Sequence, residues 1–125
     1  MSREVVRAAE SPPDLPFSPA IKANGFVFLS GNVGLDYKTG QVAEGIREQT
    51  RQTLENLKAV LEAAGSSLDR VVKVTVFLKN IEDFPAMNEV YRAYFPKDPP
   101  ARSTVGVADL ARPEFLLEVE LIALA

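Results

Sequence analysis

The chain has 125 residues, 25% of them charged and 46% hydrophobic, and its net charge at pH 7 is −3. These values are typical of one ordinary globular domain spanning residues 1–125, and the acidic balance disfavours nucleic-acid binding. The chain contains no cysteine and no histidine, which excludes disulfides, thiol nucleophiles and the commonest metal ligand. We therefore expect no metal and no cofactor.

The sequence predicts no association with a membrane. No apolar run approaches the roughly 20 residues that a membrane-spanning helix requires. The first four residues mix both signs of charge and lead into no hydrophobic segment, which argues against a secretion signal. A cytoplasmic location is the resulting expectation.

The first half of the chain predicts three strands and a helix. A β-like run over Glu4–Ala8 precedes an irregular segment that is rich in proline. Asn24-Gly25 is a strong hairpin signal, and it lies between strands predicted at Ala20–Ala23 and Phe26–Gly31. After a polar loop over residues 36–40, apolar residues spaced three and four apart predict a helix over Gly45–Ala64.

The second half predicts three more elements of strand and one of helix. A β-branched run predicts a strand at Val71–Lys79, and a helix follows over Asp83–Phe95. The last strands are predicted at Arg102–Ala108 and Phe115–Leu124. This order predicts an α+β fold, with a mixed sheet of about six strands and two helices on one face.

The strand predicted at Val71–Lys79 is hydrophobic on both faces. Alternation of side chains assigns Val71 and Phe77 to one face, and to the other Val72, Val74, Val76 and Leu78. Two helices can cover only one face of the sheet, so another copy of the chain is expected to cover the second.

Charged residues within hydrophobic strands mark a candidate site. Arg102 opens one strand, Lys73 interrupts another, and Glu118 and Glu120 share a face of the last. A buried charge is costly unless it is paired. From spacing alone, internal ion pairs between these cations and the two glutamates are the favoured interpretation. The alternative is that Arg102 binds the carboxylate of a small substrate.

Weaker candidates have simpler interpretations. Ser30-Gly31 could supply a hydroxyl and a backbone N–H to a ligand, but such a pair is more often a turn. Asn88 is expected to face solvent on the second helix. Three aromatic residues are expected in the core: Phe17, Phe84 and Tyr91.

Over nearly its whole length the chain resembles the RidA family, also called the YjgF/YER057c/UK114 family. The segments that carry the resemblance are Pro16-Phe17-Ser18, Val27-Phe28-Leu29-Ser30-Gly31, Gln52-Thr53-Leu54-Glu55-Asn56-Leu57, Ala63-Ala64-Gly65, Val72-Lys73-Val74-Thr75-Val76-Phe77-Leu78, Asn88, Pro100-Ala101-Arg102-Ser103 and Glu118-Val119-Glu120. The resemblance implies a chorismate-mutase-like fold and a homotrimer with sites in the clefts between subunits. It also implies hydrolytic deamination of reactive enamines and imines, such as 2-aminoacrylate, to 2-oxo acids and ammonia.

The same resemblance implies roles for individual residues. Arg102 matches the arginine that binds the substrate carboxylate, and its planar fork suits a bidentate contact. Glu118 matches the acidic residue that handles the water. The pocket residues implied are Phe17, Ser30, Gly31, Phe84, Asn88 and Thr104.

The chain departs from the family at two of these positions. Phe17 stands where many members carry tyrosine, and Thr104 where cysteine is frequent. These departures bear on substrate range and rate and leave the carboxylate anchor intact. Two alternatives stay open: an endoribonuclease or translation inhibitor, and a non-catalytic protein that binds small carboxylates.

Overall fold

The computed structural model describes residues 2–9 and 11–125. Its strands are β1 (Glu4–Val6), β2 (Ala20–Ala23), β3 (Phe26–Val33), β4 (Leu35–Asp36), β5 (Gln41–Val42), β6 (Val71–Leu78), β7 (Ala101–Gly106) and β8 (Leu117–Leu124). Its two α-helices are α1 (Gly45–Ala63) and α2 (Phe84–Tyr94), each of which is accompanied by a short 3₁₀ turn, at Leu68–Arg70 and Ile81–Asp83.

A six-stranded mixed sheet organises the fold, with the strands in the order β1-β2-β3-β8-β6-β7. β6 and β7 run parallel, and the other neighbouring pairs are antiparallel. Asn24 and Gly25 both have positive φ, at 54° and 84°, as the turn between β2 and β3 requires. The predicted α+β arrangement of six strands and two helices is confirmed.

Both helices pack on one face of this sheet. The buried side of α1 presents Leu54, Leu57 and Leu61, as its spacing predicts, and α2 contributes Met87 and Tyr91. On the sheet, the residues that meet the helices alternate along the strands: Val74, Val76 and Leu78 on β6, and Leu117, Val119, Leu121 and Ala123 on β8.

The predicted faces of β6 are wrong at its first two residues. Val71 is buried, whereas Val72 is 38% exposed on the outer face of the sheet, away from the helices. The reason is a β-bulge: Val71 pairs with Ala123 and Lys73 pairs with Ile122, so β6 carries one extra residue there. The bulge reverses the alternation once, and from Lys73 onward the prediction holds.

The segment predicted to be a polar loop contains part of a second small sheet. β4 and β5 pair antiparallel, with Leu35 opposite Val42 and Asp36 opposite Gln41. These strands have two residues each, too few to produce a recognisable alternation. The remaining predicted elements differ from the observed ones only in their bounds by a few residues.

The outer face of the six-stranded sheet is not covered by any element of the described chain. Phe28 is 42% exposed there and Val105 is 43% exposed, and the same face carries further exposed apolar side chains at Phe26, Val72 and Leu124. An apolar face of this kind is a signature of a contact surface. In residues 2–9 and 11–125, neither helix is both long and apolar enough to cross a membrane.

Candidate active site

Arg102 lies on the helix side of the edge strand β7. It pairs with Val74 of β6, a core residue, so the pleat directs its half-buried side chain toward α2. The guanidinium Cζ is 4.5 Å from the centre of the Tyr91 ring and 5.6 Å from that of Phe84. Such distances are those of cation–π contacts.

A shallow cleft of about 250 Å³ opens beside this guanidinium. Its lining residues are Asn88, Tyr91, Arg92, Phe95, Pro99, Pro100 and Arg102. Asn88 is half-buried and lines the wall of this cleft, a position that the expectation of a solvent-facing side chain did not include. Thr104 points to the same face of the sheet as Arg102, one pleat further along β7.

The internal ion pairs that spacing favoured do not form. Salt bridges in residues 2–9 and 11–125 join Arg47 to Glu89, Arg51 to Glu48 and Arg112 to Glu114. Instead of meeting a glutamate, the Lys73 Nζ donates a hydrogen bond to the Ser103 Oγ at 2.9 Å. In the described chain, Arg102 thus faces the aromatic rings of α2 and no carboxylate.

Glu118 lies on the opposite face of the sheet. Its neighbours along β8, Leu117 and Val119, are buried under the helices, so alternation directs the Glu118 side chain outward. Burial raises the pKa of the Glu118 carboxyl, and the like charge of Glu120 raises it further. A carboxyl in this environment is a better proton acceptor than an exposed glutamate once it is ionised.

Ser30 and Gly31 form a bulge within β3 and not a turn. Leu29 pairs with Leu121 and Asn32 with Val119, so β3 contains one extra residue between them. The Ser30 Oγ donates a hydrogen bond to the Ser18 carbonyl at 2.5 Å, and the Ser30 N–H donates to the Pro19 carbonyl at 3.0 Å. Ser30 therefore anchors the proline-rich segment to the sheet.

A larger cavity, of about 310 Å³, lies between the proline-rich segment, the end of β3 and α1. Phe17, Ser30 and Gly31 are among its lining residues, together with Tyr37 and Asn56. Phe17, at the rim of this cavity, is 50% exposed, and Phe84, beside Arg102, is 36% exposed. Neither is the core residue that was expected. Tyr91 is buried as predicted.

The candidate residues thus form two groups, one on each side of the sheet in a single chain. Arg102 and the α2 residues belong to the first group, and Glu118 with Gly31 to the second. In β6, which separates β7 from β8, Val74 beside Arg102 faces the helices, whereas Phe77 beside Glu118 faces outward. In one chain the two charges therefore face opposite sides of the sheet.

One supporting residue was missed entirely by sequence reasoning. Gln49 is 2% exposed on α1, where its Nε2 donates to the Glu114 carbonyl and its Oε1 accepts from the Leu116 N–H, both at 2.8 Å. These bonds hold the chain just before Glu118. The available signal was its place directly before Thr50, a predicted core position of the helix.

Comparison with known proteins places these observations in a family. The family model described as Endoribonuclease L-PSP matches residues 8–125. A RutC family protein of Pyrococcus horikoshii is 50% identical over 123 residues, covering 97% of each chain. The Arabidopsis thaliana protein named Reactive Intermediate Deaminase A, chloroplastic, is 45% identical over 98% of this chain and 66% of its own length. The Dermatophagoides farinae protein named 2-iminobutanoate/2-iminopropanoate deaminase is 44% identical over 78% of this chain and 77% of its own.

Solved structures agree with this grouping. A protein of Entamoeba histolytica, described as a putative endoribonuclease L-PSP, superposes with a TM-score of 0.93 at 43% identity, covering 99% of this chain and 100% of its own. E. coli TdcF, solved with bound serine, superposes with a TM-score of 0.90 at 33% identity and covers 98% of both chains.

Proposed function

The chain belongs to the Endoribonuclease L-PSP family, which includes the reactive intermediate deaminases, and we propose that it hydrolyses small enamines and imines that carry a carboxylate. The products are the corresponding 2-oxo acid and ammonia. The observation that carries the proposal is the guanidinium of Arg102, half-buried beside a cleft and paired with no carboxylate of the described chain.

Arg102 suits the recognition step. A guanidinium presents two parallel N–H groups to the two oxygens of a carboxylate, which a lysine cannot do. The name of the Dermatophagoides relative and the serine bound to TdcF both concern small molecules that contain a carboxylate. We assign the substrate carboxylate to Arg102, and Asn88 to the wall of the same cleft.

Glu118 suits the chemical step. A proton added to the terminal carbon of an enamine such as 2-aminoacrylate gives the imine, and water then adds to the imine carbon. Glu118 accepts a proton from that water as the C–O bond forms. Glu118 then returns this proton to the amino nitrogen, which leaves as ammonia when the C–N bond breaks, and the hydroxyl group releases its own proton to solvent as the carbon becomes the carbonyl of the 2-oxo acid. Holding water beside an electrophilic imine is positioning catalysis, for which one carboxylate suffices.

The proposal includes a second copy of the chain that completes this site. Arg102 and Glu118 face opposite sides of the sheet. We therefore propose that each site contains Arg102 from one chain and Glu118 from a neighbouring chain, as in the homotrimer that the family resemblance implies. The exposed apolar residues of the outer face, including Phe28 and Val105, supply a surface on which a neighbour can pack. The pocket roles of Phe17, Ser30, Gly31, Phe84 and Thr104 belong to the same proposal.

A coupled assay tests the activity. Threonine dehydratase releases 2-iminobutanoate, and the wild-type chain is expected to speed the appearance of 2-oxobutanoate. Arg102→Ala is expected to abolish the gain, and Arg102→Lys, which keeps the charge and loses the fork, to retain only a small part of it. Wild-type protein that binds 2-oxobutanoate but gives no acceleration would instead support a non-catalytic carboxylate-binding protein.

Endoribonuclease activity is the second candidate, because the matching family and the Entamoeba structure are described by that name. The net charge of −3 opposes it, since RNA binding is driven by cationic contacts to phosphates. Cleavage of single-stranded RNA by rigorously purified protein, lost in Arg102→Ala, would replace the deaminase proposal.

The cytoplasmic location stays a prediction, and the Arabidopsis relative is named chloroplastic.

A further inference from the structure

We propose that Tyr91 is a positioning residue that holds the Arg102 guanidinium in a stacked geometry, with its N–H edge directed into the cleft. The inference rests on the proposed function, because it assigns to Arg102 the task of binding a carboxylate. Sequence reasoning treated Tyr91 as core packing alone. In the structure its ring also contacts the Arg102 guanidinium.

The ring positions follow from helix geometry. Phe84 and Tyr91 are seven residues apart on α2, which is about two turns and about 10.5 Å along one helix face. The Arg102 Cζ lies between them, nearer to Tyr91 at 4.5 Å than to Phe84 at 5.6 Å. Phe95 packs on Tyr91 with ring centres 4.7 Å apart, which restricts the Tyr91 ring from a different side.

An aromatic support has a specific advantage over a carboxylate. The negative face of a π-system attracts a guanidinium without using its N–H groups, whereas an acidic partner would occupy those donors and compete with substrate. The three ion pairs in residues 2–9 and 11–125 leave Arg102 out. Tyr91 thus confines the cation and keeps its hydrogen-bonding edge available.

The contributions of the Tyr91 ring and of its hydroxyl can be tested separately. The hydroxyl is buried, and it has no hydrogen-bond partner within residues 2–9 and 11–125. Burial also raises the pKa of this phenol, and the adjacent Arg102 guanidinium opposes that shift, through its positive charge and its contact with the hydroxyl, without cancelling it. Tyr91→Phe removes the hydroxyl and keeps the aromatic face, whereas Tyr91→Leu removes both.

Two measurements test the proposal, both on the full chain. The first is the ¹⁵N-correlated NMR resonance of the Arg102 Nε–H, assigned by its loss in Arg102→Lys. Stacking on an aromatic ring displaces this resonance upfield. We expect the displacement in wild type and Tyr91→Phe, and its loss in Tyr91→Leu. Tyr91→Met replaces Tyr91→Leu if the latter does not fold by circular dichroism.

The second measurement is calorimetric binding of 2-oxobutanoate. Loss of the cation–π contact in Tyr91→Leu is expected to weaken binding by about five- to tenfold. Tyr91→Phe is expected to stay within about twofold of wild type, because the aromatic face is kept. Phe115→Leu is the matched control: Phe115 is also buried beneath an arginine, with the Arg112 Cζ 5.3 Å from its ring, and its loss is expected to leave 2-oxobutanoate binding unchanged.

The outcomes separate this inference from the proposed function. An unchanged Arg102 resonance in Tyr91→Leu, or undiminished binding of 2-oxobutanoate by that variant, would overturn the positioning role. If wild type binds no 2-oxobutanoate, the carboxylate-binding function fails, and the NMR comparison still decides whether Tyr91 holds Arg102. Equal weakening in Phe115→Leu and Tyr91→Leu would show a general packing effect and would also overturn the proposal.

Discussion

The carboxyl group of Glu118 lies directly against the α-carbon of Gly31. A β-carbon added at Gly31 would be 2.0 Å from Oε2 of Glu118 and 2.9 Å from its Cδ. The bulge in β3 and the alternation of β8 together produce this contact. A β-carbon at position 31 would thus displace the neighbouring carboxyl, and the bare backbone of Gly31 leaves the space in which that carboxyl lies.

Gly31→Ala is expected to displace the Glu118 carboxyl and to remove most of the deaminase activity. The added methyl group cannot occupy the space of Oε2, so the flexible Glu118 side chain rotates away, which moves the carboxyl out of the site at little cost in stability. The coupled dehydratase assay and urea unfolding measure the two effects. Gly106→Ala is the control, because its β-carbon would meet nothing closer than 3.7 Å. Equal activity in both variants would contradict the proposed place of Glu118 in the site.

Glu118→Gln is expected to stabilise the chain at neutral pH. The pKa of Glu118 is raised in the folded chain, so its contribution to stability is complete below its ordinary pKa of about 4.3 and is lost as pH rises through the raised value. Glu118→Gln removes this loss of stability at neutral pH. The stabilities are compared in chains that also carry Arg102→Ala, so that no guanidinium of a neighbouring copy faces the Glu118 carboxyl.

Urea unfolding at pH 7 and at pH 4 measures this difference. The advantage of the double variant over Arg102→Ala is expected at pH 7 and should shrink toward pH 4. Glu62→Gln, at an exposed position of α1, is expected to change stability by less than about 0.5 kcal/mol. A gap that widens as the pH falls would mean that the pKa of Glu118 is lowered and not raised.

Gln49→Glu is expected to destabilise the fold by about 1–3 kcal/mol. The change keeps the size of the side chain but removes the Nε2 donor, which leaves the Glu114 carbonyl unsatisfied beside a buried carboxylate. Urea unfolding at pH 7 measures the loss. The matched control is Gln41→Glu, an exposed residue of β5 that is expected to change stability by less than about 0.5 kcal/mol. Equal stability of the two variants would mean that Gln49 does not support the start of β8.

The sequence predicted those parts of the fold that depend on local pattern. The spacing of Leu54, Leu57 and Leu61 was enough for α1, and Asn24-Gly25 was enough for the first hairpin. The faces within β8 also followed from alternation, since Glu118 and Glu120 do share the outer side. Each of these features is determined by residues close together in the chain.

Features that depend on pairing between distant strands were not predictable. One extra residue at Val71 reverses a face, and nothing in the local sequence marks it. Arg102 and Glu118 lie on opposite faces because of the registers in which β7 and β8 pair with β6. The residues next to Arg102 and Glu118 in the sequence do not indicate those registers. Tyr91 illustrates the same limit, because its burial was predictable whereas its contact with Arg102 required the position of β7 relative to α2.

The sharing of one site between two chains has a direct test. Arg102→Ala and Glu118→Gln chains are each expected to be inactive in the coupled dehydratase assay. After they are mixed, dissociated and reassembled, some sites receive Arg102 from one chain and Glu118 from the other. Random mixing in equal amounts predicts about one quarter of the wild-type rate of 2-oxobutanoate release. A mixture no more active than either variant alone would contradict the shared site.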